Sequence, residues 1–277
     1  MKPPKFTELL VTLSDKELHA FELFLASPFF GKNNKQRYIE LLQVMKQVHL
    51  LQLKSLLKID DQIYKLMNQN SPFSKRRYKN IQSELRPLLE EFLIFDSIQK
   101  KPRAKKQFYI DAIAHRSFDQ FEMAVTSLIE EIEETTPYLS NTDFYSLHQV
   151  HHQLWFHPQN PQHTIKSTTL QKSMKYLDQF YIQTKLFYAC EVLNRKSKLN
   201  ENIPIPFLNT IFDYLKQHPT KTKSLSSIFF KIYQLFDKED TPLFFKLKKQ
   251  LIRDKKLIDG PIPVSYTHLT LPTICSV

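Results

Sequence analysis

The chain has 277 residues, 42% of them hydrophobic and 24% charged, which is enough apolar material for a buried core in one large domain or two smaller ones. Only two glycines, Gly31 and Gly260, are available for hairpin turns or phosphate-cradling loops. That counts against sandwiches, Rossmann folds and P-loop nucleotide hydrolases together, and the composition predicts an all-α fold with no β-sheet.

The formal charge of +11 suits a polyanionic partner, yet the lysines are spread through nearly every predicted helix, as on a solvated surface. Cys190 and Cys275 lie far apart and form no CxxC motif, so one buried thiol in a reducing compartment is expected. The N-terminal residues MKPPKFTELLVTL lack an apolar leader core, and no window approaches ~18 consecutive apolar residues. A cytoplasmic protein without a membrane span is expected.

In chain order, Phe6, Leu9, Leu10 and Leu13 mark a short first helix. Ser14 with Glu17 forms a capping box for the second, whose apolar face is Leu18, Phe21, Phe24 and Leu25 and which stops near Ser27 before Pro28. The segment SPFFGKNN is a predicted loop, capped forward by Asn33 or Asn34. A third helix carries Tyr38, Leu41, Leu42, Met45 and Val48, and Asp60 or Asp61 is expected to cap a shorter fourth. Ser74 is the predicted N-cap of a long helix with Tyr78, Ile81, Leu85, Leu88, Leu89 and Phe92 inward. Pro87 inside it predicts either a kink near Glu84 or a break into two helices.

The basic run QKKPRAKKQ interrupts the apolar periodicity, so the predicted organisation is an N-terminal helical region 1–99, a basic linker 100–106 and a helical-repeat-like region 107–263. Helices are predicted over 108–117, 118–134 and 142–156, then from Thr168 to Lys198, and finally near Pro206, Ser224 and Pro242. The stretch from Thr168 to Lys198 is the predicted spine. Its stripe of Leu170, Met174, Leu177, Phe180, Tyr181, Phe187 and Tyr188 calls for helices on both sides, with Leu177, Phe180, Phe187 and Cys190 expected to be buried. Hairpins of this kind in series predict an irregular array, an α-solenoid without a fixed period.

The N-terminal pattern Leu13-Ser14, Glu17, Phe21, Phe24-Leu25 and Ser27-Pro28-Phe29-Phe30 joins the later Asn80, Ser83, Leu85, Leu88-Leu89-Glu90 and Phe92-Leu93. With Ala189-Cys190-Glu191 and Leu193-Asn194-Arg195, it resembles a group of uncharacterised all-helical, tetratricopeptide-like proteins from Bacteroidota. The resemblance spans the chain up to its tail. It implies a longer protein with a tetratricopeptide-like C-terminal half and supplies no activity or site residue. Pro87 and Gly31 depart from the pattern.

No catalytic, cofactor-binding or metal-binding residue is expected, and the chain is read as not an enzyme. His148, His151 and His152, followed by His157 and His163, have helical spacing for metal ligands but no carboxylate at ligand spacing in that helix, which favours surface or packing roles. Glu130 to Glu134 form a predicted exposed face. Lys75, Arg76, Arg77 and Lys79 open a long helix after a short one, the outline of a helix-turn-helix, and are the candidate partner-contacting residues. The expected function is a helical scaffold binding a protein or peptide partner. The alternative is a nucleic-acid-associated protein using the segment around 60–98.

From Val264 to Val277 the chain carries no Asp, Glu, Lys or Arg, and VSYTHLTLPT resembles a translated transposase mosaic end followed by a sequencing-primer site. A non-native tail over 264–277 is therefore expected on a protein truncated near Pro263, with the apolar face of Leu243 to Leu251 left exposed.

Overall fold

The computed structural model describes residues 5–28, 35–50, 56–70, 74–135, 138–160, 167–218, 225–237 and 241–258. Among them are twelve α-helices and no strand. Gly31, Asn33 and Asn34 of the predicted loop and the tail 264–277 lie outside the described residues. The chain divides into two compact units, residues 1–105 and 106–277.

The first unit holds α1 (Lys5–Leu10), α2 (Asp15–Ala26), α3 (Lys35–Leu50), α4 (Leu56–Asn70) and α5 (Lys75–Gln99). The predicted capping box opens α2: the Ser14 hydroxyl accepts from the Glu17 N–H while Glu17 accepts from the Ser14 N–H at 2.9 Å. The bonds that the Ser14 N–H and hydroxyl donate to it, then Lys100 beside it, hold the Glu17 carboxyl down at about 2. Phe21, Leu25, Leu42, Leu85 and Leu89 are among the residues of one continuous core. Ser74 caps α5 as predicted, accepting from the Arg77 N–H.

Of the kink or break expected at Pro87, the break does not occur: helix α5 continues through it. Leu85, Leu88 and Leu89 are buried on both sides of the proline, and Arg86 pairs with Glu90 across it at 2.9 Å, so packing outweighs one lost hydrogen bond. Asp60 and Asp61 do not cap α4, which starts earlier, at Leu56. Asp60 instead sits mid-helix, where its Oδ1 accepts from Thr7 Oγ1, Tyr78 OH and Gln82 Nε2 at 3.1, 2.9 and 2.7 Å.

Helix α6 (Pro102–Ile113) begins within the expected linker, so residues 102–106 are helical; Pro102 stands at its first position, where its missing N–H is harmless. In the second unit follow α7 (Phe118–Thr135), α8 (Asn141–Phe156), α9 (Thr168–Leu199), α10 (Leu208–Gln217), α11 (Leu225–Asp237) and α12 (Thr241–Ile258). Ser140 and Asp143 make a second capping box at the start of α8.

Helix α9 is the spine as expected, 32 residues long and thus about 48 Å. It serves two cores. Its N-terminal half lends Tyr176 and Phe180 to a cluster with Ile110, Phe121, Val125 and Leu147. Its C-terminal half lends Ile182, Leu186 and Cys190 to another with Ile211, Phe229, Ile232 and Leu247. Of the face expected to be exposed on α12, Leu247 is buried and Leu251 packs against the core, while Phe245 is exposed.

Candidate interaction surface

The predicted stripe of α9 is not the face that the cores take. Ser173, Tyr176, Ile182, Gln183, Leu186, Ala189 and Cys190 are buried, whereas Met174 is 52% exposed, Leu177 43%, Tyr181 40% and Tyr188 56%. Leu177 thus contradicts the expectation of burial, and Phe180 and Phe187 are only half-buried. The seven-residue stripe spans both the flank of the core and the face beside it. Core contacts claim one flank, leaving an apolar row at steps of three, four and seven residues.

Helix α8 borders that row. Tyr145, exposed, reaches Phe180 of α9 with ring centres 5.3 Å apart, and His148 Nδ1 meets the Ser173 carbonyl and hydroxyl at 3.0 and 3.1 Å. His152 and the exposed Phe156 continue the α8 edge, with ring centres 4.6 Å apart. Two neighbouring helices therefore present aromatic and aliphatic side chains to solvent.

The histidines serve packing. His151 is buried, its ring stacked on Tyr176 at 5.6 Å and 13°, and neither ring nitrogen has a hydrogen-bond partner among the described residues. Burial, reinforced by Lys172 and opposed by Glu133, brings its pKa down to about 4. In His157, Nδ1 accepts from the Gln159 N–H at 3.2 Å, so Nε2 carries the proton and donates to the Ala114 carbonyl at 2.6 Å. Both nitrogens are occupied. No group of three or more His, Cys, Asp or Glu with metal-holding geometry occurs among the described residues, and His163 lies outside them.

The acidic run is not purely a solvated face: Ile132 is buried, Glu131 pairs with Lys106, and Glu133 accepts the Tyr176 hydroxyl. Burial, and then that bond, push the Tyr176 phenol above its usual range. Cys190 is sealed in the α9–α11 contact, where burial pushes its thiol up to about 12.

Lys75, Arg76, Arg77 and Lys79 are all exposed on the first turn of α5, in the other unit. Lys75 is already engaged, 3.9 Å from Asp61 and 5.4 Å from the centre of the Tyr64 ring. At the C-terminal end of α9, a cavity of about 460 Å³ lies between Val192, Leu193 and Lys196, the 202–207 segment, the start of α10 and Tyr233. Asn200 ends α9 in the left-handed region at φ 51°, and Phe207 precedes α10 at φ 65°. Asparagine tolerates that geometry; an aromatic residue adopts it at a cost.

The chain matches no protein-family model, no curated protein and no solved structure. Among the described residues no helix is long and apolar enough to cross a membrane.

Proposed function

We propose that the chain is a non-enzymatic cytoplasmic scaffold, an irregular tetratricopeptide-like array of helix hairpins that binds a protein or peptide partner along α9. The observation that carries this reading is the exposed row of Met174, Leu177, Tyr181 and Tyr188. Rows of large apolar side chains facing water are characteristic of contact surfaces, and tyrosine and methionine are enriched in them. A helical face of this length also suits a partner segment with apolar side chains at intervals along it.

A peptide library displayed on phage and selected on the full chain tests the reading. Peptides that bind the chain should lose at least about tenfold in affinity for a Leu177→Ser, Tyr181→Ser double variant whose melting curve is unchanged. Equal affinity for both proteins, or no enriched peptide, refutes it.

One observation favours a second reading, association with nucleic acid: four basic side chains, Lys75, Arg76, Arg77 and Lys79, stand exposed on one helical turn. Phosphate-driven binding falls steeply between low and moderate salt, whereas apolar contact does not. Failure to retard duplex or single-stranded DNA or RNA at low salt eliminates it.

A further inference from the structure

The apolar row of α9 does not stop at Tyr188. Val192 and Lys196 follow at successive four-residue steps, so the same helical flank leads into the cavity between α9, α10 and α11. At about 460 Å³ the cavity falls within the range of roughly 300–1,000 Å³ typical of ligand pockets. Val192, Leu193, Ile203, Ile205 and Leu208 give it apolar walls, and no Asp or Glu among the described residues lines it.

Four of the polar side chains that line it have no partner among the described residues. Arg195, one residue away from Lys196, is held by Glu201 at 2.7 Å. The Lys196 ammonium, by contrast, pairs with no carboxylate among the described residues. The side chains of Asn202, Asn209 and Thr210 likewise make no hydrogen bond among the described residues. Phe207, whose backbone is in the left-handed region, completes the lining with its side chain 68% exposed. The cost of that backbone geometry is not offset by burial of the ring. A recess with both apolar and polar walls, bordered by a lysine that pairs with no carboxylate among the described residues, is complementary to an apolar group that carries a negative charge beside it.

We infer that this cavity is the anchoring pocket of the α9 surface and takes a bulky apolar side chain of a peptide partner whose carboxylate, on the same or the next residue, rests on Lys196. The inference builds on the protein- or peptide-binding reading and specifies the partner's chemistry, an apolar residue adjoining an acidic one. The partner segment runs along Met174, Leu177, Tyr181 and Tyr188 and ends its apolar contacts in the pocket.

The full chain, labelled with ¹⁵N and titrated in an NMR experiment, provides the test. Two charged–neutral pairs of probes are used: 3-phenylpropionate with its neutral amide 3-phenylpropanamide, and the blocked tripeptide acetyl-Leu-Phe-Glu-amide with its Gln counterpart. The phenylpropionate and the Glu tripeptide should shift the backbone amides of Val192, Lys196, Ile203 and Thr210, each binding roughly tenfold more tightly than its neutral counterpart. Lys196→Gln should abolish the difference while leaving the rest of the spectrum in place. The pocket inference is overturned if those amides do not shift, or if charged and neutral probes bind alike. It is also overturned if the free acid binds but the Glu tripeptide does not, since the cavity is then a small-molecule site. Library-selected peptides that still require Leu177 and Tyr181 when the probes leave the pocket unshifted would sink this inference alone. Probe binding that persists when no peptide depends on those two residues would sink the broader reading instead.

Discussion

The Tyr138 hydroxyl donates to Asp254 Oδ2 at 2.6 Å, joining the segment before α8 to the last helix across 116 residues of sequence. Both residues are buried, and Arg253 holds the same carboxylate from the adjacent position at 2.9 Å. Burial raises the phenol's pKa first, and the bond to Asp254 adds to it. Tyr138→Phe keeps the ring's packing and deletes one hydrogen bond to a charged acceptor. It should destabilise the second unit by about 2 kcal/mol in urea unfolding, and a loss below about 0.5 kcal/mol would show the bond to be incidental.

The Asp60 network ties α1, α4 and α5 together in the first unit. One carboxylate oxygen accepts from Thr7, Tyr78 and Gln82, and burial, then the neighbouring Asp60, pushes the Tyr78 phenol far above its usual range. Asp60→Ala should cost about 2–4 kcal/mol, because it removes the charged acceptor that three donors share and leaves Gln82 to Thr7 Oγ1 and the Tyr78 hydroxyl to the Asp60 carbonyl at 3.4 Å. A melting curve within a degree or two of the parent would contradict that role.

Much of the fold was legible in the sequence because its signals are local. Ser14 with Glu17, Ser74, and the uninterrupted run from Thr168 each act within a few residues, and each does what its pattern predicts. Ser140 with Asp143 carried the same box signal. Asp60 was misread for the opposite reason: an acidic residue before an apolar run has the pattern of a cap, and only the arrival of Thr7 and Gln82 from distant sequence makes it a network acceptor. The α9 stripe was visible, but not which flank the cores would claim. That depends on where α7, α8, α10 and α11 dock, which is not encoded in α9 itself.

Stability of the second unit should fall with acid through His151. The unfolded imidazole takes up its proton near 6.5, whereas burial holds the folded ring's pKa at about 4, with Lys172 on α9 adding to the effect and Glu133 on α7 opposing it. The folded state therefore has its full stability above pH 6.5 and loses it progressively as pH falls toward 4, because the unfolded chain binds the extra proton. The loss is on the order of 3 kcal/mol. Replacing His151 by Phe should flatten this part of the pH–stability curve. An unchanged slope in that variant, or an NMR titration of the wild-type ring centred near 6.5, would place the acid sensitivity elsewhere.

Leu177 and Leu186 lie nine residues apart on one helix and should respond oppositely to the same substitution. Leu186 is fully buried where α9 meets α11, so Leu186→Ala leaves a cavity and should cost about 2–5 kcal/mol. Leu177 faces solvent in the apolar row, so Leu177→Ala should change stability by no more than about 0.5 kcal/mol. Peptide affinity should reverse the order, with the folded Leu177→Ala protein losing binding and Leu186→Ala retaining it under conditions where it stays folded. Half-buried Phe187 belongs between the two. Its truncation should cost less than the roughly 3–5 kcal/mol expected of a fully buried phenylalanine. Thermal melts of the three variants, run beside a binding titration with one selected peptide, decide whether the exposed flank of α9 is a contact surface or a poorly covered core. If Leu177→Ala destabilises the chain as much as Leu186→Ala does, the row is core.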